Sequence, residues 1–126
     1  GDAAPGHVLG LGINVNQELG SPTPGTSGSV GFGVYVDVTN NGSSPIRVQV
    51  QGPTGATNPD DRWCVALPSQ NGASITWGQF NTQCWAGGNG TAYAGEQIES
   101  VMILVPGTTA GTTPYDFCLN DIYPIE

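Results

Sequence analysis

Lysine is absent from this chain, and Arg47 and Arg62 are the only permanent cations among its 126 residues, with His7 the sole imidazole. Gripping a phosphate backbone takes a basic stripe, so nucleic acid is excluded as a partner. Charged residues of both signs make up 10% of the sequence, against about 25% in an ordinary globular domain. The hydrophilic surface must therefore be mostly uncharged. Ten carboxylates give a net charge of −8 but never run beyond Asp60 and Asp61, which excludes an acidic disordered tail. No apolar run reaches the roughly 18 residues of a spanning helix, and no membrane partner is expected. A copper-binding histidine brace takes an N-terminal histidine and a second one, which His7 alone cannot supply.

Cysteine is also scarce. Cys64, Cys84 and Cys118 contain no close-spaced pair of the kind zinc sites use, and the sequence carries no definite metal motif. The expectation is one disulfide and one buried thiol, with Cys84 to Cys118 preferred because it would tie the long loop around Cys84 to the last strand. A lysine-poor, Thr/Asn/Gly-rich chain with a disulfide suits a secreted, extracellular protein. The sequons Asn41-Gly42-Ser43 and Asn89-Gly90-Thr91 would matter only in a eukaryotic host.

What the chain has in quantity is glycine (20), proline (10) and β-branched residues, with ten aromatic rings. That mixture favours strands joined by turns, and no segment sustains a helical period. Residues 1–6 read as a linker remnant and 7–126 as a single domain, expected to be monomeric, long enough to bury about two-thirds of its unfolded surface. Alternation is cleanest over residues 30–38, where Val30, Phe32, Val34, Val36 and Val38 point one way and Gly31, Gly33, Tyr35 and Asp37 the other. After the Asn40-Asn41-Gly42 turn, Ile46, Val48 and Val50 alternate with Arg47, Gln49 and Gln51. Further strands are expected at 7–16, 63–67, 73–77, 98–105 and 115–122. Seven or eight short strands between Gly/Pro loops predict an all-β fold, an antiparallel β-sandwich of two sheets with jelly-roll-like wiring.

A surface of Gln, Asn, Ser, Thr, Trp and Tyr suits a neutral, hydroxyl-rich ligand, because amides match hydroxyl groups and ring faces match the C–H faces of pyranoses. If the strands carrying Tyr35 and Asp37 and those carrying Arg47, Gln49 and Gln51 are neighbours, the five groups form one patch, with Gly31 and Gly33 leaving a shallow open surface beside Tyr35. Trp63 shares parity with Val65 and Leu67 and suits the core. Yet Cys64 and Ala66 are small enough for the interior, which would turn Trp63 to the ligand. Trp85 lies in a glycine-rich loop, where a large ring is hard to bury, and reads as a platform; Trp77 reads as core. The expected binding set is Tyr35, Asp37, Arg47, Gln49, Gln51, Trp63 and Trp85, with no catalytic residue.

The stretch Ile75-Thr76-Trp77-Gly78-Gln79-Phe80-Asn81-Thr82-Gln83-Cys84-Trp85, with Val101 to Gly107 and Asp116-Phe117-Cys118-Leu119-Asn120-Asp121-Ile122, resembles the galactose-binding-like β-sandwich modules appended to secreted glycoside hydrolases. Within that group it is most similar to carbohydrate-binding module family 81, the cellulose- and β-glucan-binding modules of soil-metagenome endoglucanases. The resemblance runs from about residue 30 to the C-terminus. It implies a non-catalytic module that holds an attached endoglucanase on β-1,4-glucan, mixed-linkage β-glucan, xyloglucan or cello-oligosaccharide, through a fairly flat site across one sheet. It also implies structural roles for Trp77, Phe80 and Asp121. Some relatives carry a structural calcium, but no ligand set here matches one, and no cofactor is expected. Two other readings stand beside it. A small glycoside hydrolase would need two facing carboxyls from among Asp37, Glu96, Glu99 and Asp116. A structural or adhesive secreted β-sandwich would bind protein instead. Among glycans, pectin is disfavoured by repulsion from the net negative surface.

Overall fold

The computed structural model describes residues 2–3, 8–14, 32–67, 71–87, 89–107 and 111–125. Strands run β1 (Asp2–Ala3), β2 (Val8–Asn14), β3 (Gly33–Asn40), β4 (Arg47–Gln51), β5 (Arg62–Ala66), β6 (Ala73–Thr76), β7 (Ser100–Pro106), β8 (Thr113–Pro114) and β9 (Phe117–Ile125). Two single-turn 3-10 segments, Pro59–Asp61 and Trp77–Gln79, are the only helical elements among the described residues. The chain is a β-sandwich. One sheet has the order β2-β7-β4-β5, the other β6-β3-β9, all pairs antiparallel, and β1 with β8 forms a separate ribbon. Only β4 to β5 remains within one sheet; every other step among these seven strands changes sheet, the jelly-roll character expected.

The two alternating segments set the core. Val34, Val36 and Val38 from β3 are buried together with Val48 and Val50 from β4 and Val101, Ile103 and Val105 from β7. Each such side chain contributes about 1.5–3 kcal/mol when fully buried. Ile75, Phe80, Tyr93 and Trp63 join them, with Trp77 packed at the margin. The Trp77 and Phe80 ring centroids lie 5.7 Å apart, and Trp63 meets Tyr93 edge to face at 5.2 Å.

Several expectations need correction. Phe32 precedes β3 and is 75% exposed, so it leaves the valine face; its N–H donates to the Ile125 carbonyl, which holds the backbone but turns the ring out. Gly33 is not beside an open surface: a Cβ there would fall 2.0 Å from the Ile75 carbonyl oxygen, so glycine permits the close β3–β6 approach. Near the start of the described chain, Asp2 pairs with Pro114 and Ala3 with Thr113. The disulfide joins Cys64 to Cys84, and the remaining thiol, Cys118, is exposed. Cys118, on β9, sits opposite Thr39 of β3, in the other sheet from β5 and Cys64, and the expected Cys84–Cys118 bridge does not form. His7, Val30 and Gly31 lie outside the described residues.

Candidate functional site

The outer face of the four-stranded sheet is assembled by register. Arg47 lies between Leu104 of β7 and Ala66 of β5, Gln49 between Met102 and Cys64, and Gln51 between Ser100 and Arg62. Beyond β7, Gly10 and Gly12 of β2 face Leu104 and Met102. A Cβ at Gly10 would press within 2.9 Å of the Leu104 side chain, so the glycine keeps this end of the face low.

Trp85 completes the face from outside the sheet. Its loop starts as a stub of strand against β5, where the Cys64 N–H donates to the Asn81 carbonyl at 2.8 Å and the Asn81 N–H returns a bond at 3.1 Å. The loop folds back through Thr82, whose N–H donates to the Thr91 carbonyl and whose hydroxyl accepts from the Thr91 N–H at 2.9 Å. The disulfide to Cys64 pins the residue before Trp85 to β5. From there the ring reaches over β5 to the Arg47 guanidinium, whose central carbon is 5.9 Å from the ring centroid. The smallness of Cys64 and Ala66 matters here: two short residues on the outward row of β5 leave room for a tryptophan to pass over them. Trp85 remains 62% exposed.

These groups frame a groove of about 210 Å³ lined by Arg47, Gln49, Arg62, Thr82, Trp85 and Leu104, together with Pro59 and Cys64. Gln49 donates its amide N–H toward the Met102 sulfur at 3.6 Å, which leaves its carbonyl oxygen available. Partial burial lowers the Arg47 pKa from its ordinary value through loss of hydration, without removing the charge. Among the described residues no aspartate or glutamate lines the groove.

The expected binding set is divided by this geometry. Arg47, Gln49 and Trp85 come together, with Gln51 in the same row and half-buried. Tyr35 and Asp37 do not join them, because β3 belongs to the opposite sheet. There Tyr35 stacks on Tyr123 at 5.0 Å, and Asp37 accepts from the Asn120 amide at 3.3 Å beside a bulge in β9. Trp63 is 3% exposed and packs in the core, so it does not face the ligand side. Trp63 faces inward with Val65 and Leu67, as their shared parity implies; the small size of Cys64 misleads because Cys64 faces outward to make its disulfide. The Trp63 indole N–H has no partner among the described residues, which costs about 1–3 kcal/mol. Arg62 and Thr82 were missed. Arg62 could have been found as the outward residue opposite Gln51 once β4 and β5 were read as a hairpin; Thr82 had no signal in the sequence.

Three of the acids considered for glycoside hydrolysis, Glu96, Asp37 and Asp116, are dispersed. The Glu96 carboxylate accepts from the Ala94 N–H at 2.8 Å within its own loop, Asp37 is on the opposite sheet, and Asp116 lies between β8 and β9. Asp121 is exposed and accepts from the Ile122 N–H at 2.8 Å. Among the described residues no group of three or more His, Cys, Asp or Glu side chains is placed to hold a metal ion. No family model, curated protein or solved structure matches this chain.

Proposed function

We propose that this is a non-catalytic carbohydrate-binding module that takes a β-1,4-linked glucan, mixed-linkage β-glucan or xyloglucan chain along the groove of the four-stranded sheet. The observation that carries the reading is Trp85, a largely exposed ring held by a disulfide beside Arg47, Gln49 and Thr82. A flat aromatic face offers stacking area for a pyranose, and the adjoining amide, hydroxyl and guanidinium groups offer donors and acceptors for its hydroxyls. An open groove suits the interior of a polymer. The exposed Gly10, opposite Leu104, extends that surface past β7. The sequence resemblance to family 81 modules supports the same ligand class and an attached endoglucanase. The disulfide supports a secreted protein in an oxidising compartment.

Affinity electrophoresis with barley β-glucan and xyloglucan tests the reading. Retardation of the wild-type protein by at least one of them, and its loss in Trp85→Ala, is expected. Unretarded migration in both gels by a protein with a folded circular dichroism spectrum would refute it.

A further inference from the structure

We infer that the groove recognises a carboxylate carried on its glycan, a hexuronic acid substituent on a β-1,4-linked chain; this rests on the glycan-binding reading above. The chain has two cations and ten carboxylates. Both cations line one groove, and among the described residues no carboxylate does. A protein of net charge −8 therefore presents a local positive site on one face.

Neither arginine is committed to neutralising an acid of the fold. Across the strands Arg47 faces Leu104 and Ala66, and Arg62 faces Gln51. Among the described residues neither guanidinium forms an ion pair. The acid next in sequence to Arg62, Asp61, directs one carboxylate oxygen to the Thr54 N–H at 2.8 Å and hydroxyl at 2.7 Å. Asp60 is exposed in the 3-10 turn, and Glu99 is joined to β4 through its N–H, which donates to the Gln51 carbonyl at 2.8 Å.

The two guanidiniums have different tasks. Arg47 lies against the Trp85 ring and belongs to the stacking platform. Arg62 starts β5 opposite Gln51, four residues along β4 from Arg47, a separation of about 13 Å at strand rise. The planar fork of Arg62 matches a carboxylate through two parallel hydrogen bonds. A neutral backbone stacked on Trp85 would thus bring a substituent further along the chain to Arg62. Sparse substitution suits this protein better than a polyuronate. The repulsion of distant carboxylates is screened over a Debye length of about 10 Å at 0.1 M salt, whereas a polyuronate brings a charge on every residue against them.

The test compares barley β-glucan, glucuronoxylan and the same glucuronoxylan with its uronic acids reduced to the neutral hexose, in affinity electrophoresis at low and high salt. The wild-type protein is expected to bind glucuronoxylan about tenfold more tightly than its reduced form, the scale of one charge-assisted hydrogen bond. High salt should shrink that preference, and Arg62→Gln, checked for folding by circular dichroism, should abolish it. Equal binding of the native and reduced polymers by a protein that binds barley β-glucan overturns this inference and leaves the glycan reading standing. Failure to bind any of the three overturns this inference, and failure to bind xyloglucan as well overturns both. A preference that survives in Arg62→Gln overturns the assignment to Arg62.

Discussion

Reducing the Cys64–Cys84 disulfide should weaken the fold and the groove together, because the same cross-link that closes the loop also places Trp85. The bridge joins residues 20 apart. In the chain-entropy treatment, closing a loop of that length stabilises the folded state by about 3 kcal/mol through restriction of the unfolded chain. For a domain of this size that corresponds to a fall in Tm of about 11 °C, or a fall in urea midpoint of about 1–3 M. The comparison is best made in a Cys118→Ser background, since the exposed third thiol would otherwise exchange with the freed pair. Urea unfolding followed by tryptophan fluorescence, with and without dithiothreitol, measures the stability term. Titration with β-glucan below the unfolding range measures the site. The reduced protein should bind more weakly even where it is fully folded, because Trp85 then has to be ordered by the ligand. A stability loss below about 1 kcal/mol would refute the account of the cross-link. Unchanged binding by the reduced, folded protein would refute the claim that it positions the ring.

The other predictions concern single side chains. Trp85→Ala should lower glycan affinity by about 5- to 30-fold, the effect of losing one aromatic anchor, while leaving stability within about 0.5 kcal/mol; calorimetric titration and thermal unfolding read the two terms separately. Trp63→Ala should do the reverse, destabilising by about 3–5 kcal/mol as a core cavity opens, and is checked by urea denaturation. Tyr35→Ala should leave glycan affinity within error in the same titration, because Tyr35 lies on the opposite sheet. Gly33→Ala should destabilise by about 1–3 kcal/mol, since the added methyl meets the backbone of β6 rather than a movable side chain; a Tm within 2 °C of wild type, a shift below about 1 kcal/mol, would contradict that packing.

Strand identity was legible in the sequence because side-chain direction alternates with the backbone itself. Val34, Val36 and Val38 face inward, as do Val48 and Val50, and Arg47, Gln49 and Gln51 face outward on the same local rule. The exposure of Trp85 was legible for a similar reason, since a loop of glycine and asparagine has little with which to bury an indole. Composition alone made the polar surface neutral and the cations few. Tertiary structure decided which strands became neighbours, and that choice put Tyr35 and Asp37 on one side of the sandwich and the groove on the other. It also decided the cysteine pairing, which turned Cys64 outward and Trp63 into the core. Partners in a sheet or a disulfide are set by long-range burial of whole faces, which no local period encodes. Composition alone leaves this protein with almost no positive charge. Only the folded chain brought both of its arginines to the same groove.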